Sequence, residues 1–434
     1  MSRRVFVSGY GLCCGNGLDS QEYWANCSSL KSGLKVQEGW EHLDCRIAGL
    51  IDVEGLTPEE RQEIEYYRAR RSVFTRRALF EALQMSNLDL KTLEEIGIIL
   101  GIDFYGGDEF TLDFFVNIYP QGKGEDKWEN FNLGYAVDRG VKRLLKGKKT
   151  GYADLLKSQT LFSYQPWVER YIRSLIKVPG ISRTINNLCV SSAQSIGEAY
   201  HSIRSGEQDV ILTGGLEEYS FVSAFTFSRL GVYVKADKPE NSCTPFDARR
   251  KGTVLGEGAG ILVLESEEHL EKRGGTPIAE VLGYGTSNNV YHVTNSPPDG
   301  KGLAQAMRTA LERGQVHEKE VDVVVAHGTG TYVNDSSECQ AINDVLPSKP
   351  YVHSMKSYVG HTLSLAGALN FITGLLEMKH GFVLPTIFLK TPGKNCDVNH
   401  VPAKGVEKDV KTIITNAAGF GGFNASLLFR KESG

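Results

Sequence analysis

The sequence predicts an α/β fold with mostly buried sheets. Three observations carry that reading: apolar runs of strand length, helix-period segments between them, and a repeat of that alternation in two sets. The strand-like runs are RRVFVSGYG (3–11), EIGIILGIDF (95–104), QDVILTGGLE (208–217), GAGILVLES (258–266), VDVVVAHGTGT (321–331), KTIITNAAGF (411–420) and ASLLFRK (425–431). Segments such as RRSVFTRRALFEALQMS, SAQSIGEAYHSIRSG, GLAQAMRTALERG and LAGALNFITGLLEMKHG carry the helical period. One set of strands ends by about residue 267, and a second begins near TPIAEVLGYGTSN (276–288), so the chain divides into two similar halves, 1–267 and 268–434.

With 434 residues the chain has room for two core-sized units or one large α/β body. Its 41% apolar and 23% charged residues are those of a folded protein, and a net charge of -4 argues against nucleic acid or anionic lipid as the main partner. No window approaches the roughly 18 apolar residues of a membrane span, and the start MSRRVFVSGYGLCCGNG has no signal-peptide core. The eight cysteines are scattered, and the adjacent Cys13 and Cys14 have no metal-type counterpart, so a reduced, cytoplasmic protein without a metal site is expected. Residues 105–160 show no clean strand period and read as an insertion: a lid, a dimer contact or surface elaboration.

The stretch NNLCVSSAQSIGEAY (186–200) places Cys189 after an extended run and before small residues that open a helix. Such a thiol either fills a core gap as a small apolar side chain or acts as a nucleophile, because a helix N-terminus favours the thiolate. Three further corners bear on the choice. VDVVVAHGTGT puts His327 after an apolar strand in a glycine-rich turn, with Asp335 and Glu338 on the following helix. YVHSMKSYVGHTLSLAGALN presents Lys356 and His361 around Gly360, and TNAAGFGGFN (415–424) forms a glycine-rich turn holding Phe420 and Gly421. Each alone is an ordinary structural feature. Together they end apolar strands, where α/β sites form.

This set, with PFDARRKGTVLGEGAGILVLE (245–265), resembles the β-ketoacyl synthase family, the condensing enzymes of fatty-acid and polyketide assembly, over nearly the whole chain. The resemblance is greatest to elongating synthases with a Cys-His-His site. It implies a duplicated thiolase-like fold of five layers, α-β-α-β-α, in a homodimer or in a heterodimer with a related synthase-like subunit. It implies no cofactor, the substrates being carried on the phosphopantetheine arm of an acyl carrier protein. By the same likeness Cys189 takes the acyl group, and His327 and His361 stabilise the enolate left when a malonyl-type thioester loses carbon dioxide. Lys356, Glu338 and Asp335 support them. The backbone N–H groups of Cys189 and Phe420 form the oxyanion hole, with Phe420 also the gate. Thr329, Thr331, Gly421, Leu188 and Val190 are expected at the substrate. Arg68, Arg70 and Arg71, in YRARRSVFTRRALFEA with Arg76 and Arg77, form a basic face that either meets an acidic carrier helix or is simply solvated.

The chain departs from the family pattern at several positions. Leu188 and Val190 are bulkier than usual beside the thiol. Ala418 stands where an aromatic is common, Phe423 where threonine is usual, and Ser364 and Leu365 replace glycine and alanine. These changes point to a specialised polyketide or fatty-acid-like pathway. Two rivals use the same residues: acyl transfer without decarboxylation, and a non-catalytic partner like the chain-length factors, which typically lack the thiol that is present here.

Overall fold

A computed structural model describes residues 3–38, 40, 46–67, 69–102 and 166–432. The first half runs β1 (Val5–Cys14), α1 (Ser20–Ser28), α2 (Pro58–Tyr67), α3 (Arg71–Ser86), β2 (Gly97–Ile102), α4 (Pro166–Ile176), β3 (Ser182–Ile185), α5 (Ser191–Arg204), β4 (Val210–Glu217), α6 (Phe221–Arg229) and β5 (Gly258–Ser266). The second runs α7 (Glu267–Lys272), β6 (Ala279–Asn288), α8 (Lys301–Gly314), β7 (Val323–Val325), α9 (Tyr332–Val345), β8 (Tyr351–His353), α10 (Lys356–Val359), α11 (Ala366–His380), β9 (Thr412–Ala418) and β10 (Phe423–Lys431).

The strands form one sheet in the order β8-β7-β9-β10-β6-β1-β5-β4-β2-β3. Its two sides meet at β1 and β6, through the pairs Phe6 with Glu280 and Val7 with Ala279. On one side β2 is parallel to β3 and β4, and β5 is antiparallel to β4 and β1. On the other, β7 is parallel to β8 and β9, and β10 is antiparallel to β9 and β6. Strand order and sense therefore repeat, and the fold is duplicated.

Period-two alternation assigns each strand's faces to different layers. Val5, Val7, Tyr10 and Leu12 of β1, Leu262 and Leu264 of β5, and Val323 and Val325 of β7 enter a central core. Cys13, Ile261 and Val263 face an outer core under α3 and α4, and Val324 faces another under α8 and α9. The central core holds α5 and α11. From Ala366 to Met378, α11 is buried without a break, as a helix covered on every side must be.

Each half carries Gly-Tyr-Gly in the middle of its first strand, at 9–11 and 283–285. Tyr10 and Tyr284 fill the central core, while the glycines admit an outer helix to the sheet. A Cβ added at Gly11 would lie 2.1 Å from the Ala78 carbonyl oxygen of α3, and one at Gly285 would lie 2.0 Å from that of Ala306 in α8. Gly11→Ala or Gly285→Ala should therefore push a helix off its sheet, costing about 1–3 kcal/mol as overpacking does. Urea unfolding would show this as a lower midpoint; an unmoved midpoint would contradict the packing argument.

Of the arginines proposed to meet a carrier protein, Arg70 and Arg71 are engaged within the chain by carboxylates, as are Arg76 and Arg77 beside them, so those that are described do not form a free basic face. The reason is α2, whose acidic residues pack on α3: Arg76 Nε donates to Glu63 at 2.8 Å and Arg77 Nε to Glu60 at 2.7 Å. Arg71 Nε lies 3.5 Å from Glu218, and Arg70 donates to the Ile51 carbonyl at 2.7 Å and to the buried Glu257 carboxylate. Arg68 and the 105–160 insertion lie outside the described residues. Among the described residues no helix is long and apolar enough to cross a membrane.

Candidate active site

Between β3 and α5 the chain turns sharply. Leu188 adopts a left-handed φ of 56°, and a single 3₁₀ turn, Leu188–Val190, feeds straight into α5. The Ser191 hydroxyl ties the corner by accepting the Asn187 N–H at 2.9 Å and donating to the Leu188 carbonyl at 2.7 Å. Cys189 is thereby held at the N-terminal end of α5, 4% exposed, where the helix dipole favours an anion. The GFGG turn lies against it: a Cβ added at Gly419 would sit 3.6 Å from the Cys189 nitrogen.

His327 follows β7 in a loop whose shape is set by two carboxylates of α9. Glu338 accepts the amides of His327 at 2.8 Å and Gly328 at 2.7 Å; Asp335 accepts those of Thr329 at 3.0 Å, Gly330 at 3.2 Å and Phe246 at 2.7 Å. Both acids are buried, and that burial raises their pKa values against the hydrogen bonds that lower them. They carry the backbone of the loop; the imidazole is left to Lys356. The Lys356 Nζ lies 3.4 Å from His327 Nδ1 and donates to the His327 carbonyl. Burial lowers the pKa of this ammonium, and the neighbouring Glu338 carboxylate chiefly opposes that.

His361 is anchored to the segment KGTVLGEG. Its N–H donates to the Val254 carbonyl at 2.7 Å and its carbonyl accepts from Gly256 at 3.0 Å. The imidazole Nδ1 accepts the Leu363 N–H at 3.2 Å, so its proton sits on Nε2. The His327 and His361 ring centroids are 5.2 Å apart. Burial, with Lys356 adding to it, holds both histidines well below the ordinary imidazole pKa. Both are neutral at pH 7.

The turn that supplies the Leu363 amide is itself clamped. The Ser364 N–H donates to the Glu217 carboxylate at 3.2 Å, and the Ser364 hydroxyl lies 2.6 Å from the same oxygen. Ser364 is one of the departures from the family pattern, and here it is a buried link between β4 and His361. Glu217→Gln or Ser364→Ala should free that turn and cost about 1–2 kcal/mol, read as about a tenfold fall in kcat at little change in KM. The nitrogen NMR signals of His361 should move toward a mixture of tautomers; unchanged signals would leave the clamp a purely structural link.

Cys189, His327 and His361 line one cavity of about 210 Å³, together with Thr329, Thr331 and Phe420. Lys356, Glu338 and Asp335 stand behind its wall. Leu188, Val190 and Gly421 do not line it, contrary to expectation. Val190 is fully buried in the central core, Leu188 packs beside the cluster around Leu34 and Leu255, and the Gly421 N–H donates to the Val293 carbonyl at 2.6 Å. Of the two departures in this turn, Ala418 lines the cavity and Phe423 does not, its ring covering Gly421. The sequence reading missed Phe227, whose ring packs edge-on to His361 with centroids 6.3 Å apart and lies 5.5 Å from that of Phe420. It also missed Asn416, which donates to Glu338 at 3.2 Å.

A duplicated α/β sheet that sets a helix-capped thiol and two neutral imidazoles in one cavity defines a condensing enzyme of the thiolase fold. Family models bear this out: residues 171–269 match the β-ketoacyl synthase N-terminal domain and residues 278–390 the C-terminal domain. The chain is 30% identical to 3-oxoacyl-[acyl-carrier-protein] synthase 2 of Staphylococcus aureus (strain COL), over 99% of each protein. Among solved structures it resembles the ketosynthase described as AntDE:AntF, a type II PKS acyl-carrier protein in complex with its ketosynthase bound to the hexaketide. That likeness has a TM-score of 0.83 and 28% identity over 100% of both chains. It also resembles the ishigamide ketosynthase/chain length factor, with a TM-score of 0.80 and 28% identity over 100% of both chains. The chain belongs to the β-ketoacyl synthase family, carbon–carbon bond-forming acyltransferases.

Proposed function

We propose that this chain performs decarboxylative Claisen condensation of a malonyl-type thioester with an acyl group held on Cys189. One observation carries the reading: Cys189, His327 and His361 share a cavity wall, and the His361 Nδ1 is already occupied, which leaves its Nε2–H as a donor. In the first half-reaction the Cys189 thiolate attacks the acyl thioester carbonyl and expels the carrier's arm as a thiolate, which takes its proton from solvent. In the second, the malonyl thioester loses carbon dioxide, and the electron pair of the broken bond becomes an enolate. His327 and His361 donate to its oxygen. The enolate carbon then attacks the acyl-Cys189 carbonyl while the N–H groups of Cys189 and Phe420 hold the tetrahedral oxyanion, and collapse returns the thiolate and releases the β-ketoacyl thioester.

The partner in this reading is an acyl carrier protein that presents both thioesters on its phosphopantetheine arm; the resemblance to the carrier-bound AntDE ketosynthase supports it. The working assembly is a homodimer or a heterodimer with a related synthase-like subunit, the latter supported by the likeness to the ishigamide ketosynthase/chain length factor. The same likenesses, with Ser364 in the turn beside His361 and Ala418 on the cavity wall, favour a specialised polyketide or fatty-acid-like pathway over general fatty-acid elongation.

The test combines intact-mass measurement of the chain with carbon dioxide release from malonyl-carrier. An acyl adduct that disappears as carbon dioxide and β-ketoacyl product form in equal amounts is the expected result. An adduct discharged to an acceptor without carbon dioxide would reassign the protein as a plain acyltransferase. No adduct at all would overturn the reading.

A further inference from the structure

The catalytic cavity changes character from floor to rim. Its floor is buried, with Cys189 4%, His327 2% and His361 2% exposed. Its rim includes Lys251 and His292, both exposed. Among the described residues no aspartate or glutamate lines this cavity, although the chain as a whole is acidic. Lys251 makes no ion pair among the described residues, whereas the neighbouring Arg249 is paired with Asp247 at 2.7 Å and Arg250 is buried. His292 has its Nδ1 occupied, accepting the N–H of Thr294 at 3.1 Å and of Asn295 at 3.2 Å. Its Nε2 therefore bears a proton and serves as a donor. An ammonium and a fixed N–H donor stand where the cavity opens, with no carboxylate to compete.

We propose that Lys251 and His292 form an anion subsite for the phosphate of the substrate's phosphopantetheine arm. The proposal rests on the function inferred above and adds to it a recognition element at the rim. The arm fixes the direction of the argument. Its sulfur must reach Cys189 on the floor, and its phosphate is at the opposite end, so a fully inserted arm leaves the phosphate at the mouth. The malonyl carboxylate, the other anion of the reaction, sits at the sulfur end beside the histidines and is not served by the rim. A charge-assisted contact from Lys251 adds affinity and the oriented N–H of His292 adds direction, and a cation at a mouth also attracts an anionic carrier.

The test measures the rate of Cys189 acylation by intact mass with three donors of the same acyl group: acyl-pantetheine, acyl-4′-phosphopantetheine and acyl-carrier protein. In the wild type the phosphate should raise kcat/KM about five- to tenfold over acyl-pantetheine, and the gain should shrink in high salt. Lys251→Ala should bring the ratio of the two rates close to one, and His292→Ala should lower it part of the way. A wild-type ratio near one, or a ratio that Lys251→Ala leaves alone, overturns the subsite. So does a Lys251 effect seen with the carrier protein and absent with free phosphopantetheine, which would assign Lys251 to the carrier's protein surface. Failure of all three donors to acylate the wild type would remove the function on which the subsite rests, a different result from acylation that ignores the phosphate.

Discussion

Replacing Cys189 by alanine should abolish both the acyl adduct and condensation, a loss of about 10⁴-fold or more in rate. Among the described residues no other thiol is placed to substitute. The other free cysteines among the described residues, Cys13, Cys14, Cys27, Cys243, Cys339 and Cys396, are all buried, and none of them lines the cavity. Burial pushes the Cys14 thiol up to about 12 and the Cys243 thiol up to about 11, and raises Cys13 and Cys27 well above the ordinary range. A thiol held protonated in a packed core neither attacks a thioester nor meets one. Digestion of acylated wild type should place the adduct on the peptide containing Cys189, and Cys189→Ala should carry none. An adduct of equal yield on the variant would contradict the assignment. The corner itself should survive the change, because Ser191 and not the sulfur ties Asn187 to Leu188.

Much of this site was legible in the sequence for a physical reason. A buried strand announces itself as an apolar run, and α/β sites form where such runs end. His327 follows β7 and Phe420 follows β9, both legible as apolar runs, so finding those strands found their corners. The strands β3 and β8, which precede Cys189 and Lys356, are too short and too polar to stand out that way, and those corners were read from their small and glycine-rich residues. Side-chain direction within a corner was not legible. One turn of 3₁₀ helix has too few residues to show a period, and Leu188 and Val190 flank the thiol in sequence yet sit off the cavity wall. The arginines of α3 misled in a different way. Their spacing reads as a basic stripe, but their fate depends on Glu60 and Glu63 of α2 and on Glu218 and Glu257 from distant strand ends. Phe227 had no signal at all, since an aromatic in a short helix is ordinary until the histidine it touches is placed. The repeated Gly-Tyr-Gly stands in the sequence as a mark of duplication that the reading by strand alternation passed over.

His327→Ala and His361→Ala should each lower malonyl decarboxylation about 100- to 1000-fold, the usual cost of losing one oxyanion donor. Because the proposed mechanism has both donate to one enolate oxygen, the double variant should lose less than the product of the single losses. The pH dependence distinguishes this role from that of a charged catalyst. Burial and Lys356 hold both imidazoles well below their ordinary pKa, so the active form is the neutral one and it persists as the solution is acidified. The decarboxylation rate should therefore stay flat through the ordinary histidine range near pH 6.5; a midpoint there would mean that a charged imidazole takes part. Stability should respond where the rate does not. Below about pH 6.5 the unfolded chain binds protons at these two positions and the folded chain does not, so their contribution is full above that pH and lost as the pH falls. Well below pH 6.5 the slope approaches about 1.4 kcal/mol per pH unit for each histidine. Asp335 and Glu338, raised by burial, act with the opposite sign: their contribution is full at low pH and lost as the pH rises through their folded values. Urea unfolding between pH 5.5 and 7.5 should thus show less acid destabilisation in His327→Ala and His361→Ala than in the wild type. Equal slopes would mean that the two histidines take up protons in the folded protein, and the neutral-donor mechanism would fall with them.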